Sequence, residues 1–194
     1  MESVAVTGHR PSKLDWGYDY NEAHWVELKE IFKEWLVANN VRKAFTGMAL
    51  GVDMVFALAV LELKLEGYDI ALCAVVPCNR QWIKWPESSK ATYFNILSQA
   101  DEIVGMSYFH EEGYVKLTLV ETEGHYQLLT VDNEYYAQPY HSALMTRRNN
   151  YMVDNADGVL AVWEGIPGGT ANCVEYAQSI NKTVYQLRPS DIKI

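Results

Sequence analysis

Three short turns in this chain combine bare backbone with groups that can hold an anion. They are "TGHRP" at residues 7–11, "TGMALGVD" at 46–53 and "EGIPGGT" at 164–170. Glycine has no Cβ to hold a ligand away and tolerates positive φ, so Gly47, Gly51, Gly168 and Gly169 permit close backbone approach. A helix that starts after such a turn adds free N–H donors and roughly half a positive charge at its N-terminus. A phosphate suits that combination. One glycine turn is as readily a steric device of a tight strand-to-helix connection, whereas three on one sheet edge point to a shared ligand.

Charged side chains sit beside these turns. Arg147, Arg148, Asn149 and Asp154 fall within "RRNNYMVD". The arginine fork matches phosphate or carboxylate. Adjacent residues on a helix face about 100° apart, so one of the two arginines is expected to turn inward. Asp53 opens "DMVFALAVLEL", where an acid caps the helix or offsets its dipole. It is equally placed to accept hydrogen bonds from ribose hydroxyls, and the two roles are compatible. His9, at a strand end with Arg10 beside it, is expected to be a ligand contact and not a catalyst. The remaining histidines show no metal-like spacing, so neither a metal nor a cofactor is expected.

The elements that must position these groups follow from the apolar pattern. Short β-rich runs recur at "SVAVTG", "VRKAFTG", "IALCAVVP", "DEIVGMS", "DGVLAVW" and "KTVYQL", most without polar alternation, as strands covered on both faces should be. Helical spacing lies between them, with Trp25, Leu28, Phe32 and Trp35 on one face and Val55, Leu58 and 61–65 on another. Alternating strand and helix predict an α/β Rossmann-like three-layer sandwich around a mainly parallel sheet. Residues 114–131 break the alternation with two period-two runs about a Gly-containing turn, which reads as an inserted β-hairpin. A surface insertion, a lid over the ligand and a subunit contact are all open roles for it.

Sixteen basic residues against twenty-five acidic ones give a net charge of −9. That balance opposes phosphate-backbone binding, so nucleic acid is not expected as a partner. The chain has no apolar run of about 18 residues and no leading signal segment, which predicts a cytoplasmic protein without membrane contact. Its 194 residues suit a single domain over 1–194. Cys73, Cys78 and Cys173 are odd in number and form no CxxC pair, so reduced thiols are expected.

Taken in order, "VTGHRP", "TGMALGVD", "VVPC…QW…W", "RRNNYMVDNADGVLAVW" and "GGT…VEYA" resemble the DUF1273/YpsA-like branch of the SLOG superfamily. That branch is related to the lysine decarboxylase-like LOG proteins and to the Rossmann domain of DprA. The resemblance covers nearly the whole chain outside the hairpin. It implies a Rossmann-like domain, commonly a homo-oligomer, that binds nucleotides or nucleotide-sugar derivatives. It also implies that Gly8, Thr46, Gly47, Gly51, Asp53, Arg148, Asn149, Gly168, Gly169 and Thr170 face the ligand. Catalysis is where the chain departs from LOG-type phosphoribohydrolases, which resemble "PGGxGTxxE". Here "PGGTANCVE" puts Cys173 three residues after Thr170 and delays the acid to Glu175. Three and five residues along a helix differ in direction by about 200°.

Three functions follow as expectations. The first is a sensor or sequestering protein that holds an ADP-ribose-like, NAD-like or related signalling nucleotide, one version being a phage-type sponge against nucleotide immune signals. The second is an N-glycosidic hydrolase of nucleoside monophosphates or NAD-like substrates, with Glu164 or Glu175 stabilising an oxocarbenium-like state. The third is an oligomeric assembly protein. A glycine-rich edge without the expected catalytic acid favours the first.

Overall fold

The computed structural model describes residues 1–194. The apolar runs become β1 (Ser3–Gly8), β2 (Lys43–Thr46), β3 (Ala71–Val76), β4 (Glu102–Met106), β7 (Gly158–Val162) and β8 (Thr183–Leu187), all parallel. The hairpin supplies β5 (Tyr114–Thr122) and β6 (His125–Thr130), which run antiparallel. All eight lie in one sheet in the order β6-β5-β4-β3-β2-β1-β7-β8. Five helices connect them: α1 (Ala23–Ala38), α2 (Val52–Leu65), α3 (Glu87–Gln99), α4 (Ser142–Asn155) and α5 (Gly169–Ser179). The architecture is the Rossmann-like α/β sandwich that the alternation predicts.

Successive strand residues point to opposite faces, and the core divides accordingly. Val4 and Val6 of β1 join one cluster with α1, α2 and α3, while Ala5 joins a second with α4 and α5. Helix α1 buries Trp25, Leu28, Phe32 and Leu36. Helix α2 lies between α1 and α3 over the sheet centre and is therefore buried nearly all round. Trp82 and Trp85, after β3, pack against the larger cluster and close it with edge-on contacts to Phe94 and Tyr93.

Strand order decides where a ligand can lie. From β1 the chain builds outward through β2, β3 and β4, then returns to place β7 and β8 on the other side of β1. The direction of winding reverses there, and in open α/β sheets the crevice beyond the carboxyl ends of the strands at such a point is the binding position.

The hairpin cannot serve as a lid over that crevice. It extends the β4 edge, with Leu117 opposite Ile103 and Val115 opposite Gly105. Four strand spacings of about 4.8 Å separate β5 from β1, or about 19 Å. Nor is it a detachable surface insertion, because Val115, Leu117 and Leu128 are buried in the larger core cluster and Tyr126 stacks on Phe94 at 4.6 Å. Its turn is closed by Glu123 and Gly124 at φ 52° and 79°, the backbone a two-residue hairpin loop requires. No helix is long and apolar enough to cross a membrane.

Candidate functional site

At the carboxyl ends of β1 and β7 lies a cleft of about 190 Å³. The turn after β1 contributes Gly8, His9 and Arg10, the start of α2 contributes Asp53, α4 contributes Arg148 and Asn149, and α5 contributes Gly169 and Thr170. Eight residues singled out from the sequence thus meet at one cleft, although they span most of the chain.

Arg148 is the buried cation of that cleft. Its side chain is buried while Arg147, one residue earlier, is exposed and stacks on Tyr108 at 4.7 Å, as the helical turn between neighbours dictates. Nη1 of Arg148 donates to the Gly47 carbonyl at 2.9 Å, and Nε and Nη2 donate to Oδ1 of Asn149 at 3.2 and 2.9 Å. These bonds occupy three of the five N–H groups a guanidinium carries. The molecule's ion pairs within 4.0 Å do not include Arg148. Burial works against its charged form and the field of Asp53 supports it; a guanidinium does not deprotonate in proteins, so the charge stays. A buried cation without a directly paired carboxylate, on the wall of a cleft, is poised for an external anion.

Asp53 is the sole acid in the cleft lining. Burial pushes its carboxyl up, against the opposing pull of Arg148 and of the Ala49 N–H, which donates to Oδ2 at 3.3 Å. Its backbone carbonyl accepts from the Thr46 hydroxyl at 2.8 Å, and the same hydroxyl accepts from the Met48 N–H. Met48 holds φ 55°, which a non-glycine residue rarely adopts, and its side chain is completely buried. The 46–53 turn is thereby locked from inside.

That locking changes what its glycines do. Thr46, Gly47 and Gly51 do not line the cleft. A Cβ on Gly47 would stand 2.7 Å from Nε of Arg148 and 2.8 Å from Oδ2 of Asp53, so the missing side chain makes room for protein groups. Gly51, at φ 92°, meets the His9 carbonyl and Pro11, and Gly8, although on the cleft wall, is bare because Val52 packs against it. Gly168 caps α5 at φ 148° and also stays off the cleft wall, whereas Gly169 faces open space. The bare edge available to a ligand is therefore the N-terminus of α5, whose cap residue supplies no side-chain bond.

His9 is buried, and its Nε2 accepts from the Glu164 N–H at 3.3 Å. The neutral ring then carries its proton on Nδ1. Burial, reinforced by Lys13, lowers the imidazole's affinity for a second proton. The two acids proposed for hydrolysis stand elsewhere: Glu164 is exposed and accepts from the N–H and hydroxyl of Ser190 at 2.6 and 3.2 Å, and Glu175 is exposed on α5. Neither lines the cleft. Cys173 does, but burial pushes its thiol up to about 11. Lys13, Ser12, Thr146, Asn150 and Asn172 complete the polar wall and went unnamed in the sequence reading. The spacing of Asn172, three residues beyond Gly169 on a helix, was the one available signal.

The YspA SLOG family model matches residues 4–126. The SPbeta prophage-derived protein YoqJ of Bacillus subtilis is 28% identical over 84% of this chain and 86% of its own length. A UPF0398 protein of Halalkalibacterium halodurans is 24% identical over 100% of this chain and 87% of its own. Among solved structures, DNA processing protein A of Helicobacter pylori, described by its single-stranded DNA binding mode, aligns with TM-score 0.58 at 16% identity. The counterpart from Streptococcus pneumoniae aligns with TM-score 0.57 at 15% identity. Both cover 95% of this chain, which spans 64% and 50% of theirs. These likenesses establish the fold. They also correct the expectation that set nucleic acid aside, since a protein that binds single-stranded DNA shares the architecture. Net charge is a whole-chain quantity, and Arg10, Lys13 and Arg148 gather on one cleft despite the acidic surplus.

Proposed function

We propose that this chain, which belongs to the YspA SLOG family, holds a nucleotide-derived anion of the ADP-ribose or NAD type in the cytoplasm without cleaving it. The observation that carries this reading is Arg148, a buried guanidinium on the cleft wall with no carboxylate within 4.0 Å, close to the uncapped start of α5. Phosphate oxygens would accept from its remaining N–H groups and from the first backbone amides of α5. Asp53 then accepts from ribose hydroxyls. Hydrolysis of an N-glycosidic bond draws on well-placed carboxylates to steady positive charge; the cleft has one acid, and Glu164 and Glu175 stand outside it. Sequestration is the sharper form of this reading: one relative is prophage-derived, and a sponge needs a cleft and no catalyst.

Calorimetric titration of the protein with ADP-ribose, NAD, AMP and a single-stranded oligonucleotide, followed by chromatography of each mixture, tests the proposal. Stoichiometric retention of an intact nucleotide is the expected result. Turnover, or binding of the oligonucleotide alone, overturns it. Gly169→Leu, placed in open space at the start of α5, should block retention without unfolding the chain, and Arg148→Ala should abolish it.

A further inference from the structure

The proposed function leaves the ligand's charge open, and the cleft lining narrows it. Three cations, Arg10, Lys13 and Arg148, face one acid, Asp53, so the lining carries a surplus of two positive charges. Arg148 is fixed in the wall by its bonds to Gly47 and Asn149. Arg10 and Lys13 are different in kind. Both are exposed, neither joins an ion pair, and both belong to one short 3-10 turn, Pro11–Lys13, with Arg10 as its N-cap.

Lys13 bridges the mouth of the cleft. Its ammonium donates to the Pro167 carbonyl at 3.4 Å, a long and therefore weak bond. It lies 2.7 Å from the position a Cβ on Gly168 would take, beside the first residue of α5. A lysine head held so loosely, next to the unpaired amides of α5, is free to close on an anion that Arg148 and α5 have already seated. An ammonium is a point charge, so what it reads is the amount of negative charge and not its planar geometry.

We propose that the cleft selects ligands whose phosphate or diphosphate group carries two negative charges in total over those with a singly charged phosphodiester, and that Lys13 is the residue that reads the second charge. Doubly charged ligands are phosphomonoesters and diphosphates; the disfavoured class is the 3′,5′-cyclic monophosphates. The inference rests on the proposed function, but it fails separately.

The experiment titrates the protein with the four common nucleoside 5′-monophosphates, their 3′,5′-cyclic counterparts, the free nucleosides and ADP-ribose. For whichever base is accepted, the monophosphate should bind roughly tenfold or more tightly than its cyclic form, as the loss of one charge-assisted bond implies. Lys13→Ala should shrink that ratio to about threefold or less, and Lys13→Arg should restore it. Circular dichroism of the variant should match the parent, because the Lys13 side chain is exposed. Equal affinity for the two phosphate classes, or Lys13→Ala weakening both alike, overturns the inference and leaves the proposed function standing. Binding of ADP-ribose with neither monophosphate class, at an affinity that Lys13→Ala leaves unchanged, also counts against the inference alone. If nothing binds, both fall.

Discussion

The carbonyl of Gly47 accepts a hydrogen bond from Nη1 of Arg148 at 2.9 Å across 101 residues of sequence. This contact joins the turn after β2 to helix α4 and explains a glycine that looks ligand-facing in sequence. With Nε of Arg148 and Oδ2 of Asp53 both within 2.8 Å of where a Cβ would stand, Gly47 is empty so that an arginine and an aspartate can share its space.

Gly47→Ala should therefore lower stability by about 1–3 kcal/mol, the usual range for overpacking a filled site, and weaken nucleotide binding by displacing Arg148. Gly169→Ala meets no neighbour within 4 Å, so its stability should stay within about 0.5 kcal/mol of the parent. Urea denaturation of both variants measures the contrast. Equal destabilisation would show that the two glycines are bare for the same reason.

The buried imidazole of His9 makes stability depend on pH. Its pKa is lowered from 6.5 in the folded chain by burial, and Nε2 must stay unprotonated to accept from Glu164. Below pH 6.5 the unfolded chain takes up a proton that the folded chain refuses, so the unfolded state gains. The stability that neutral His9 provides is present above pH 6.5 and declines as pH falls through that value toward the lowered folded one. Urea midpoints between pH 7.5 and 5.5 should fall for the parent and fall less for His9→Gln. Parallel slopes would assign the dependence to other groups.

The centre of the sheet was legible because β1, β2, β3, β4 and β7 are buried on both faces and so read as largely unbroken apolar runs. The inward arginine was legible too, since consecutive residues on a helix cannot share a direction. What the glycines serve was not. Gly47, Gly51 and Gly169 look alike in sequence, yet the first yields to Arg148, the second to the His9 carbonyl, and the third faces open space. Those neighbours are distant along the chain and become adjacent only when β1, β2 and β7 assemble. Lys13 was missed because a lysine in a polar loop carries no spacing signal. Net charge alone does not set a polyanionic partner aside, because it averages over the whole surface while Arg10, Lys13 and Arg148 share one cleft.

Cysteine chemistry offers a check on the cleft as a binding wall. Cys173 lines it and burial pushes its thiol to about 11, while the buried Cys73 and Cys78 rise to about 12 and 11. A thiol moved from 9.0 to about 11 holds roughly a hundredfold less thiolate at pH 8. Dithiodipyridine at that pH should find no fast-reacting thiol in the native protein and three in urea. One rapid equivalent from Cys173 would mark an activated nucleophile and reopen covalent catalysis.

The hairpin should prove to be a stability element uncoupled from the cleft. Leu117 is buried, pairs with Ile103 of β4, and fills the space above Gly105, where a Cβ would come within 2.6 Å of its Cδ1. Leu117→Ala should therefore cost about 2–5 kcal/mol, the loss of buried methyl groups plus the cavity they leave. Three strands stand between β5 and β1 in the sheet order, so nucleotide affinity measured well below the lowered melting temperature should match the parent. Mutations that far apart with no shared partner normally act independently. An affinity that fell along with stability would show that the β4 edge and the cleft move together, and the hairpin would then belong to the binding mechanism.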